Sequence, residues 1–67
     1  MRNRETDEQL IRDTVKRAGV DELVYISSNH YDGGYEVKVG TREMFVDYGA
    51  LDSHDQTWLS SLQATSL

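Results

Sequence analysis

At 67 residues, 37% apolar and 28% charged, the chain is long enough for one small globular domain, and its composition is neither disordered nor fibrous. Its longest apolar run is Leu23 to Ile26, too short to cross a bilayer; with no cysteine, a disulfide framework, an iron–sulfur cluster and a cysteine-ligated zinc are excluded. The formal net charge of −5 sets up a field that repels nucleic acid and anionic lipid and attracts basic protein surfaces.

The start, Met1-Arg2-Asn3-Arg4-Glu5, is charged with no apolar stretch behind it. It does not read as a secretory signal, and a cytoplasmic location is expected. There is no proline, so the breaks in the chain must come from glycine and capping residues. Thr6-Asp7-Glu8-Gln9 reads as a capping box, with Thr6 at the cap and Gln9 three residues on. Leu10, Ile11, Thr14, Val15 and Ala18 then recur on one helical stripe. Glu8–Arg12 and Asp13–Arg17 are i,i+4 pairs in the favourable order. Gly19 reads as a left-handed stop, with Val20 folding back on the last turn. These signals predict a helix over 7–18, preceded by a frayed segment 1–5.

Leu23-Val24-Tyr25-Ile26 is a strand signal that extends toward Ser28, and Ser27 to Gly34 is turn material. Tyr35 to Val39 alternates apolar and charged residues, and Glu43 to Tyr48 alternates again. Gly40-Thr41 between them fits a two-residue hairpin turn with glycine first. That turn predicts the pairs Val39–Arg42, Lys38–Glu43, Val37–Met44, Glu36–Phe45 and Tyr35–Val46. Only this register keeps the apolar set on one face.

Gly49 and Ala50 read as the break after the third strand. Asp52 or Ser53 then caps a second helix, with Gln56 completing a box from Ser53 and Trp58, Leu59 and Leu62 as its apolar stripe. Residues 64–67 are expected to fray. The reading is one domain over residues 1–67, α+β in class and α-β-β-β-α in order. Its three-stranded antiparallel sheet has both helices on one face. The expected core is Leu10, Ile11, Val15, Ala18, Val24, Ile26, Tyr35, Val37, Val39, Met44, Val46, Trp58, Leu59 and Leu62, with Trp58 as the main anchor of the second helix. This order and length resemble the double-stranded-RNA-binding domain, and the resemblance is one of topology. That family carries a lysine cluster at the start of its second helix; here the same place reads Asp52-Ser53-His54-Asp55. Two acids there oppose phosphate, so RNA binding is not carried over.

The two histidines, His30 and His54, stand near acids and a serine but in no catalytic or metal-binding pattern. Ser53, His54 and Asp55 are consecutive and cannot form a triad on a helix. His30, Asp32, His54 and Asp55 have no diagnostic ligand spacing. The expectation is therefore no enzyme, no cofactor and no metal. The sheet's outer face is the better lead. If Val24 and Ile26 face inward with Tyr35, Val37, Met44 and Val46, the outer face carries Leu23, Tyr25 and Phe45 among Glu36, Lys38, Glu43 and Asp47. Aromatics rimmed by charge suit an interaction surface.

The acid excess lies in the later part of the chain. Residues 18–67 set Lys38 and Arg42 against Asp21, Glu22, Asp32, Glu36, Glu43, Asp47, Asp52 and Asp55. The expected partner-binding residues are Tyr25, Glu36, Glu43, Phe45 and Asp47, with Asp52 and Asp55 extending the acidic field. The expected function is a small acidic protein-binding modulator or inhibitor that engages a basic, nucleic-acid-binding surface of a partner protein. It would not bind nucleic acid or membrane directly. In size, charge and lack of cysteine the chain resembles small acidic proteins of phages and mobile elements, anti-CRISPR proteins among them. The alternative is an interaction module that homodimerises through the exposed sheet face.

Overall fold

A computed structural model describes residues 3–63. Helix α1 (Arg4–Arg17) is followed by strands β1 (Val24–Asn29), β2 (Gly34–Val39) and β3 (Arg42–Asp47), a short helix α2 (Tyr48–Asp52), a 3-10 turn (Thr57–Leu59) and α3 (Ser60–Gln63). The strands form one antiparallel meander in the order β1-β2-β3. The class is α+β, as the residue pattern predicted.

Helix α1 starts earlier than the capping box suggested. The cap is Asn3, whose side-chain oxygen accepts from the backbone N–H of Glu5 (2.9 Å) and Thr6 (3.3 Å), so Thr6 lies inside the helix. Asparagine is as good a cap as threonine or better, and the earlier start adds a turn. Gly19 ends the helix at φ 86°. Its N–H bonds Lys16 O, and Val20 N–H bonds Val15 O, the paired closing bonds of a Schellman motif. The expected Glu8–Arg12 pair is not the one formed. Glu8 meets Arg4 at 2.6 Å, and Arg12 instead donates to the carbonyl of Val24 at 2.9 Å. Arg12 thus fastens the helix to β1.

The hairpin register is the predicted one: Val39 opposite Arg42, Lys38 opposite Glu43, Val37 opposite Met44, Glu36 opposite Phe45 and Tyr35 opposite Val46. Of the turn residues, Gly40 has positive φ (62°) and Thr41 does not, the pattern of a type II′ turn, whose twist suits the strands. On the inner face Tyr35, Val37, Val39, Met44 and Val46 are buried together with Ile11 and Val15 of α1, Leu51 of α2, and Leu59 and Leu62 beyond it. Val24 and Ile26 pack at the margin of this core, which fixes β1's facing and leaves Leu23 and Tyr25 exposed.

The predicted second helix is not continuous. Its expected cap, Ser53, instead closes α2, donating its hydroxyl to Gly49 O at 2.8 Å. The chain then turns through His54 at φ 58°, a left-handed conformation that no regular helix tolerates. Gly49 and Ala50, read as breakers, lie inside α2. Asp47 makes this possible: its carboxylate accepts from Ala50 N–H at 2.7 Å, so β3 runs into α2 without a loop. Trp58 is only half-buried and flanks the core, while Leu51, missing from the expected core, is buried. Residues 1, 2 and 64–67, where fraying was expected, lie outside the described residues; Arg4 and Glu5 belong to α1.

Candidate functional site

The helices cover one face of the sheet and leave the other bare. On the bare face the pairing lays down cross-strand rows: Tyr25, Lys38 and Glu43; then Ser27, Glu36 and Phe45; then Asn29, Gly34 and Asp47. Tyr25 is 62% exposed and Phe45 40%. These rows enclose a shallow groove of about 470 Å³ lined by Tyr25, Ser27, Asp32, Glu36, Lys38, Glu43 and Phe45. Two rings, three carboxylates and one ammonium therefore share one open surface. Among the described residues neither Lys38 nor Glu43 closes an ion pair, so both charges face solvent in this groove.

One end of the groove is organised by Asn29. Its amide nitrogen donates to Asp32 Oδ2 (2.9 Å) and to Glu36 Oε2 (2.8 Å), and its oxygen accepts from the Asp32 N–H (3.3 Å). The amide holds two carboxylates on the same side of the sheet without neutralising either. Behind it the His30 ring lies between the Ser28 hydroxyl (3.3 Å) and the Tyr48 hydroxyl (3.4 Å), and Tyr48 N–H bonds Gly33 O at 2.9 Å. The β1–β2 loop is thus tied down at several points. Asn29 and Asp32 were absent from the sequence-predicted binding set, although both stand in the stretch read as turn material, where asparagine and aspartate side chains commonly bond nearby backbone.

Of the residues singled out in the sequence, Tyr25, Glu36, Glu43 and Phe45 are brought together at the groove. Asp47 lies on the same side of β3, but its carboxylate caps α2. Asp52 and Asp55 are placed elsewhere. Asp52 ends α2 and Asp55 lies in the connection that follows, because the helix start that was to carry them does not form. Asp55 Oδ1 accepts from Thr57 N–H at 2.9 Å. That bond, and a second from the Thr57 side chain, hold the exposed Asp55 carboxyl below its ordinary pKa of 3.8.

No protein-family model matches this sequence, and no curated protein or solved structure is significantly similar to it. The site must be read from its own chemistry. Among the described residues no three histidine, aspartate or glutamate side chains converge as a metal site, and no helix is long and apolar enough to cross a membrane. The groove offers carboxylates to accept from cationic donors and two ring faces for apolar or cation–π contact.

Proposed function

We propose that this protein is a non-catalytic binding module whose bare sheet face engages a basic surface of a partner protein. One observation carries the reading: the rings of Tyr25 and Phe45 and the carboxylates of Asp32, Glu36 and Glu43 line a single groove on the face that the helices leave uncovered. A desolvated ring supplies affinity, and surrounding carboxylates steer a cationic partner toward it. A partner that normally holds nucleic acid presents such a basic surface. Covering it would make the protein an inhibitor by acidic mimicry, the mode that the likeness in size and charge to anti-CRISPR proteins suggests.

The test is to capture the partner, then measure rates with variants across a salt series. Phe45→Ala is expected to speed dissociation and cost about 2 kcal/mol of affinity. Glu36→Gln with Glu43→Gln is expected to slow association and flatten its salt dependence. Wild-type rates in both variants would refute the assignment. A salt-insensitive dimer in sedimentation, formed through the same face, would favour the homodimeric reading instead.

A further inference from the structure

We infer that the partner segment docks by strand addition: a basic, extended stretch of another protein joins the free edge of β3 as a fourth strand. The inference rests on the outer-face reading and says how that face is entered. Its basis is the phase of the hydrogen-bond ladder. Val39 and Arg42 flank the two-residue turn, and beyond the other end of β3 Tyr48 N–H bonds Gly33 O at 2.9 Å. Between these points Arg42, Met44 and Val46 direct their backbone groups at β2, because the direction alternates along an antiparallel strand. The N–H and C=O groups of Glu43 and Phe45 and the N–H of Asp47 therefore point away from the sheet.

The opposite edge is guarded. Gly40 N–H bonds Leu23 O at 3.3 Å, so Val24, Ile26 and Ser28 present the free edge of β1. There the Arg12 guanidinium already occupies the Val24 carbonyl at 2.9 Å, the kind of obstruction that keeps edge strands from pairing.

On β3 the residues whose backbone groups point outward are the ones whose side chains lie on the bare face. A strand added there places alternate residues directly opposite Glu43, Phe45 and Asp47. The Glu43 carboxylate, the Phe45 ring and the exposed Asp47 carboxylate, one oxygen of which also caps α2, span about 13 Å end to end and are complemented by a basic, an apolar and a basic residue at alternate positions. A second copy of this chain fits poorly. Its β1 carries no charge, its β3 has one base, Arg42, and two bodies of net charge −5 repel.

The probe is a nonapeptide centred on Lys-Thr-Val-Thr-Lys, titrated at low salt with amide exchange read by NMR. It is compared with two isomers, one N-methylated at the central valine and one at a flanking threonine. Strand addition directs the valine N–H at Phe45 and the threonine N–H away. Valine methylation should then weaken binding about tenfold or more, the loss of a ladder hydrogen bond in a desolvated setting. Threonine methylation should leave binding near its starting value, and the Glu43 and Phe45 amides should gain exchange protection. Three equally bound peptides, with shifts at Tyr25 and Glu36 but no such protection, would overturn strand addition and leave the outer face standing. Absence of binding, or shifts confined to other surfaces and unaffected by Phe45→Ala, would overturn both. A peptide-free dimer protected at Glu43 and Phe45 would overturn the choice of occupant.

Discussion

Gly34 opens β2 opposite Asp47, the last residue of β3, and the space above its Cα is already filled. A Cβ there would collide with Val46 O and lie 2.7 Å from both Asp47 Cα and the Phe45 ring. Two of these three neighbours are backbone, so the strands themselves would have to part. Gly34→Ala is expected to cost about 1–3 kcal/mol in urea unfolding; an unchanged midpoint would contradict this. Phe45 is consequently more than an exposed ring, since it roofs a glycine that has no side chain of its own, a known remedy for strand glycines. At the other face the Tyr35 hydroxyl donates to Asp7 Oδ2 at 2.6 Å, both residues being buried, and the Tyr35 ring meets Tyr48 edge-on at 5.6 Å. The hydroxyl joins the first turn of α1 to the middle of the core. Tyr35→Phe keeps the ring and deletes the bond, and is expected to cost about 1.5–3 kcal/mol, the range for hydrogen bonds to charged groups. Thermal unfolding of this variant beside wild type measures it.

Leu51 and Trp58 exchange the roles that the residue pattern assigned them. Leu51 is 5% exposed while Trp58 is half-buried, so Leu51→Ala is expected to cost about 2–5 kcal/mol and Trp58→Ala less. Paired unfolding curves give the order, and a larger loss at Trp58 would contradict it. The reason for the exchange shows what was legible. The sheet could be read because a period of two and one glycine turn fix a register that only one hydrophobic pattern satisfies. Three of the groove residues, Glu36, Glu43 and Phe45, followed directly from that register; Tyr25 depended on the facing of β1, whose two sides are both apolar and which the hairpin does not fix. The region after β3 could not be read in the same way. Its outcome turns on whether the Asp47 carboxylate, at the end of β3, also caps a helix that starts at once, and Gly49-Ala50 is compatible with a helix or a loop there. Once Asp47 caps α2, Leu51 swings under the sheet and the helix ends at Ser53. The capping box from Ser53 never forms, and with it goes the helix start on which Asp52 and Asp55 were placed. Asn29 reads in the sequence only as the start of a loop, the second candidate after the sheet face, for a related reason, since a polar loop residue shows its partners only when the strands on either side are paired.

Across the molecule the charges are sorted by segment. Beyond α1 only Lys38 and Arg42 are basic, and Arg42 lies 3.7 Å from Glu22. Within α1, Arg4 is held by Glu8 and Arg12 by the Val24 carbonyl, so among the described residues no continuous basic stripe faces solvent. Double-stranded DNA or RNA is therefore expected to show no retardation with this protein in a gel shift at physiological salt. Micromolar binding lost on substituting Lys16 and Arg17 would contradict that and move the site to the end of α1. The same sorting gives the bare sheet face its sign.

The meander also bears on the time course of folding. All three strands lie within residues 24–47, joined by one short loop and one two-residue turn. Each strand finds its neighbour by a local search, and hairpins of this kind close in about 1–10 μs. The inner face they create, Tyr35 through Val46, is then uncovered until Ile11 and Val15 arrive from one end of the chain and Leu51, Leu59 and Leu62 from the other. Strand pairing is thus expected to precede the closing of the two ends over the sheet, an order that φ-values near one in the β2–β3 hairpin and near zero at Leu59 and Leu62 would bear out. The Arg12 clasp on the β1 edge can form only when α1 has docked, so that edge gains its guard last.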